Sequence, residues 1–123
     1  MDRKIAISWL RRGKPLAVRM TASGSDLLAW IGVTPLDLSD DTTKGMLQWR
    51  GHSLDGRQNP AYRVRKFEVS KELIDKDIHF GECELCNKED YFAFGDDELI
   101  SVLDRLGVSL EELEQHWKCG YPV

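Results

Sequence analysis

The chain has 123 residues, 41% of them apolar and 31% charged, a balance that excludes a natively disordered protein and suits one small domain. No apolar run approaches the ~18 residues of a membrane-spanning helix, and Met1-Asp2-Arg3-Lys4-Ile5 lacks the apolar stretch of a signal peptide. A cytoplasmic protein with no membrane partner is expected. Three cysteines cannot all pair within one chain, which argues against a disulfide framework and for thiols or metal ligands.

Along the chain, Ile5, Ile7 and Trp9 alternate with Lys4, Ala6 and Ser8, and Leu16, Val18 and Met20 alternate again beyond Arg12-Gly13-Lys14. This period of two around a glycine turn predicts a β-hairpin over residues 3 to 20. Ser25 is expected to cap a short helix with Leu27, Leu28, Trp30 and Ile31 as its apolar stripe and Gly32 at its end. Met46 to Arg50 reads as a further strand, and residues 51 to 60 as a loop. Tyr62 to Val69 is rich in β-formers, but its apolar parity changes between Val64 and Phe67, which predicts a bulge or a strand covered on both faces.

Ser70 opens a short helical segment through Lys76, a cysteine loop follows around residues 79 to 89, and Tyr91 to Phe94 reads as the last strand. Asp96 and Asp97 start a helix with Leu99, Ile100, Leu103 and Leu106 at helical spacing, which Gly107 stops. Ser109-Leu110-Glu111-Glu112 fits a capping box for a final helix from Leu110 to about Lys118. The fold class expected is α+β: a small single domain in which N-terminal β-hairpins form an antiparallel sheet, with a C-terminal helical hairpin and a zinc staple.

The zinc expectation rests on two short-spaced pairs, Cys83 with Cys86 and His116 with Cys119. Zinc takes four N or S ligands in a tetrahedron, and two such pairs supply them from two local structures. Asn87 and Gly120, which follow the second cysteine of each pair, tolerate positive φ, as a tight loop folding its N–H groups toward a thiolate requires. The segment Cys83-Glu84-Leu85-Cys86-Asn87-Lys88 resembles the zinc knuckles of zinc-ribbon and treble-clef domains over these few residues. His79 is the rival fourth ligand. Four protein ligands leave no open position for water or substrate, so the ion is expected to be structural, contributing on the order of 10 kcal/mol to folding.

Enzymatic chemistry finds little support. The zinc-deaminase pattern needs H-x-E and P-C-x-x-C, whereas His79-Phe80-Gly81-Glu82 has the wrong spacing and no proline precedes Cys83. His52, Ser53 and Asp55 lie in a glycine-bounded loop that reads as a turn, and no phosphate loop or dinucleotide fingerprint is present. Nucleic-acid binding is the alternative function. Arg50, His52, Arg57, Arg63, Arg65 and Lys66 cluster with Trp49 and Tyr62 in a predicted hairpin, but against them stands an acidic C-terminal half.

Charge is unevenly divided. The net charge is -4, yet residues 1 to 67 carry +6 and residues 68 to 123 carry -10. Acidic elements suit a basic protein partner, and charge complementarity speeds such association. The candidate partner-binding acids are Glu82, Glu84, Glu89, Asp90, Asp96, Asp97, Glu98, Glu111, Glu112 and Glu114. In size, acidity and lack of catalytic residues the chain resembles bacterial immunity proteins, including those of contact-dependent growth inhibition systems. That resemblance implies a one-to-one complex with a cognate toxin and protection of the producing cell.

Overall fold

Residues 2–37, 40–51, 61–75 and 85–119 are described in this computed structural model, the side chains at 75, 116 and 117 excepted. Helix α1, Arg3–Arg11, replaces the first arm of the hairpin expected over residues 3 to 20. The Asp2 carboxylate accepts the Lys4 N–H at 2.9 Å and caps the helix. Ala6 and Leu10, four apart, are its buried residues, while Ile5 stays half exposed. The alternation of Ile5, Ile7 and Trp9 is thus compatible with either period, and the i, i+4 pair with its cap decides for the helix. Gly13, at φ 81, turns the chain into strand β1, Leu16–Met20.

Strand β2, Leu27–Leu36, stands where a capped helix was expected. It lies between β1 and β3, Ala61–Ser70, antiparallel to both. Its apolar run is continuous because both its faces are covered: Trp30 enters one cluster, Ile31 and Val33 another. Gly32 is a mid-strand residue opposite Ala17 and Arg65. Between β2 and β3 runs helix α2, Asp41–Trp49, in place of the strand expected over Met46 to Arg50. Asp40 caps it through the Thr43 N–H and hydroxyl, and Leu47 is its buried anchor. The loop expected over residues 51 to 60 lies, beyond Gly51, outside the described residues.

The β3 expectation holds in its second form, a strand covered on both faces, while the bulge lies in the neighbouring strand. Val64 faces one core and Phe67 the other, and the pairing with β4, Cys86–Phe94, slips between Lys66 and Glu68. Short helix α3, Lys71–Asp75, follows β3, as the segment from Ser70 predicted. The sheet is a four-stranded antiparallel meander in the order β1-β2-β3-β4.

One face carries the main core, in which α1 (Ala6, Leu10), helix α4, Asp96–Arg105 (Leu99, Val102, Leu103), and the turn after it (Leu110, Leu113) pack on Ile31, Val33, Tyr62 and Val64. Gly107, at φ 79, ends α4 where expected. The helical hairpin expected beyond it is not formed. Leu110–Glu112 makes one 3-10 turn, without the expected side-chain cap at Ser109, and a separate short helix α5 spans His116–Cys119. Between them Glu114 pairs with Ala17, each N–H donating to the other's carbonyl at 2.8 Å. That bridge covers part of the outer edge of β1, which a continuous helix would leave open.

On the opposite face are two smaller clusters. Trp30, Phe67, Val69 and Leu85 form one, and Leu47, Ala61 and Phe94 the other.

Candidate functional site

The cysteine end of the sheet is organised by a buried carboxylate. Cys86 starts β4 opposite Glu68, and Asn87 and Lys88 together face Phe67, so the extra residue of the bulge lies in β4. Asn87 has φ 52, the one non-glycine residue with positive φ among those described. Its side-chain amide donates to Glu68 Oε1. Glu68, only 6% exposed, also accepts the Ser23 N–H at 2.7 Å and the Ser23 hydroxyl at 2.8 Å. The Ser23 N–H first, against the cost of burial, and then the Asn87 and Ser23 side chains hold its carboxyl below the usual glutamate range. Glu68 therefore ties the β1–β2 turn and the left-handed residue beside Cys86 to one point.

The second pair of expected ligands approaches the same region. Leu85, next to Cys86, is buried with Trp30 and Phe67, and Cys119 packs against that cluster. Trp30 Nε1 donates to the Cys119 carbonyl at 2.9 Å. Leu85 and Cys119 thus meet at one apolar cluster, whereas Cys86 is exposed and, opposite Glu68, lies on the other face of the sheet from Phe67. Cys83, His79 and Gly120 lie outside the described residues, as does the His116 side chain. Among the described residues no group of three or more His, Cys, Asp or Glu stands ready to hold a metal ion.

Several of the expected partner-binding acids are engaged within the chain. Asp90 accepts Arg65 at 3.0 Å and Arg63 at 3.3 Å across the β3–β4 pair. Burial alone raises the Asp90 carboxyl, but the two guanidiniums outweigh it and hold it below its usual range. Asp96 is shared by Arg11 and by the Tyr62 hydroxyl, which donates to it at 2.7 Å. Burial first, then this bond to an anion, pushes the Tyr62 hydroxyl well above the ordinary tyrosine range.

Glu89 accepts the Tyr91 hydroxyl at 2.9 Å. Glu98 accepts the Phe94 N–H, and exposed Glu111 pairs with Arg3 at 3.3 Å. Glu114 is half-buried at its bridge. Asp97 and Glu112 are exposed, as is Asp104 on the same outer layer. Glu82 and Glu84 fall outside the described residues.

The basic cluster of the alternative reading is not assembled as a hairpin. Arg63 and Arg65 are bound by Asp90, Tyr62 is buried, and Trp49 and Arg50 end a helix rather than a strand. His52 and Arg57 lie outside the described residues. Sequence reasoning missed Glu68 and the Arg63-Asp90-Arg65 group. The available signal was charge at alternate positions of a β-rich run: Arg63 and Arg65 on one face, and Glu68 between Phe67 and Val69.

No protein-family description, curated protein or solved structure matches this chain.

Proposed function

We propose that this chain is a small acidic binding protein that neutralises a basic protein partner, an immunity protein against a cognate nuclease toxin, with no catalysis of its own. Carrying the reading is one observation: Asp97, Asp104, Glu111 and Glu112 are exposed on α4 and the turn that follows it, while the inner sides of the same elements are anchored in the main core. Carboxylates on packed elements lose little freedom when a Lys- and Arg-rich surface docks, and their field raises the association rate. Nuclease active sites are basic because they grip phosphate, so such a face competes for the same groups.

A structural zinc held by Cys83, Cys86, His116 and Cys119 belongs to the proposal as the clamp of the opposite face. It is supported by the left-handed Asn87 after Cys86 and by the shared packing of Leu85 and Cys119. Such a four-ligand ion adds stability and no chemistry.

Co-expression tests the function. The C-terminal domain encoded by the neighbouring gene is expected to arrest growth alone and to be tolerated with this chain. Combined Asp97→Lys, Glu111→Lys and Glu112→Lys should abolish protection while leaving the melting profile close to wild type. Protection that survives the triple reversal would refute the acidic-face reading.

A further inference from the structure

Beyond the acidic face, the outer edge of β4 carries a feature of opposite sign. A cleft of about 420 Å³ runs over this edge, lined by Arg50 at the end of α2, Asp90, Tyr91 and Phe92 of β4, and Val102 and Arg105 of α4. Its size falls in the range of ligand and peptide sites, ~300–1,000 Å³. β4 is the last strand of the sheet, and among the described residues no strand pairs on its outer side.

The charges of the cleft do not cancel. Asp90 is already bound by Arg63 and Arg65, and neighbouring Glu89 by the Tyr91 hydroxyl. Arg50 lies over the Phe92 ring, 5.4 Å from its centroid, and neither Arg50 nor Arg105 makes an ion pair among the described residues. The cleft lining itself thus holds two arginines, Arg50 and Arg105, and one carboxylate, Asp90, which is engaged by arginines outside the lining. Trp49, the residue before Arg50, is 85% exposed, an unusual exposure for a side chain whose apolar area gains so much from burial.

We infer that this cleft is a second docking surface, which takes an extended acidic peptide segment of a partner protein along the outer edge of β4, its carboxylates on Arg50 and Arg105. Guanidinium forks suit carboxylates bidentately, and an edge strand offers main-chain groups to an extended segment. A polynucleotide is the poorer occupant. Its continuous phosphate charge would meet exposed Asp97 and Glu98 at the start of α4, whereas a peptide carries carboxylates only where the arginines stand.

Fluorescence anisotropy on the full chain provides the test, with a labelled ten-residue peptide alternating glutamate and valine, the same peptide with lysine for glutamate, and a labelled single-stranded oligonucleotide as probes. The glutamate peptide should bind in a salt-dependent manner and the other two should not. Arg50→Gln and Arg105→Gln should each weaken it about tenfold or more, and Lys71→Gln, which removes a lysine from a different groove, should not. Should a variant misfold, amide shift mapping on the wild-type chain replaces it: shifts on peptide addition should centre on residues 90–92, 102 and 105. No binding of the glutamate peptide, tighter binding of the oligonucleotide, equal loss on Lys71→Gln, peptide-induced shifts elsewhere, or self-association through this edge would each overturn the inference.

Discussion

The two faces of the sheet are closed in different ways. On one, α1, α4 and the turn at Leu110 spread a continuous apolar core from Ala6 to Leu113. On the other, the Trp30–Phe67 and Leu47–Phe94 clusters sit at opposite ends of β3 and β4, with Arg63, Arg65 and Asp90 between them. A divided face cannot gain the cooperative burial of a single core, so each end needs something else to hold it. At the Leu47 end helix α2 does this. At the Trp30 end the elements available are short, α3 with five residues and α5 with four, and Cys119 of α5 packs against the cluster there.

The largest contrast should appear when the same side chain is truncated on each face. Leu103→Ala in the main core is expected to cost about 3–5 kcal/mol in urea unfolding and Leu85→Ala in the smaller cluster about 2 kcal/mol, because a cavity collapses more easily where less surrounds it. Equal losses would break the comparison.

Asp90→Asn comes next, at about 1–3 kcal/mol, since it leaves two part-buried guanidiniums without their carboxylate. Its pH dependence has a fixed sign. With the folded pKa below the unfolded value of ~3.9, Asp90 stabilises the fold fully above that value and progressively less as pH falls through the folded one. A pH series of melts should therefore show a shallower acid limb for Asp90→Asn than for wild type.

Tyr62→Phe removes a single bond to Asp96, which Arg11 still holds, and should cost about 1 kcal/mol. The folded Tyr62 pKa lies above the unfolded ~10, so its contribution is complete below pH ~10 and declines as pH rises beyond it. The Phe variant should lose less stability than wild type in an alkaline titration. Smallest of all, Ile5→Ala on the exposed side of α1 should stay within about 0.5 kcal/mol.

The same contrast decides how much was legible from residues alone. Helix α4 and strand β3 were readable because each keeps one pattern: Leu99 and Leu103 at helical spacing, and a β-rich run whose parity change marks its two covered faces. α1 and α2 were misread because a short stretch such as Ile5-Ala6-Ile7-Ser8-Trp9 fits either period, and the deciding caps, Asp2 and Asp40, are single polar residues. β2 was misread because a central strand loses its alternation. At the candidate site, the left-handed Asn87 was legible from its place after Cys86. Its fixing by Glu68 was not, since that contact links residues 19 apart in sequence. The pairing of Asp90 with Arg63 and Arg65 was hidden in the same way, and the acidic surface is correspondingly smaller than the acid count of the C-terminal half.

The proposal on which most of this account depends is a structural zinc held by Cys83, Cys86, His116 and Cys119. Elemental analysis of the full chain, purified without chelator, tests it most directly. About one zinc per chain is predicted, lost together with most of the thermal stability when Cys83 and Cys86 are replaced by serine. A metal-free protein that melts at the same temperature with and without those cysteines would contradict it.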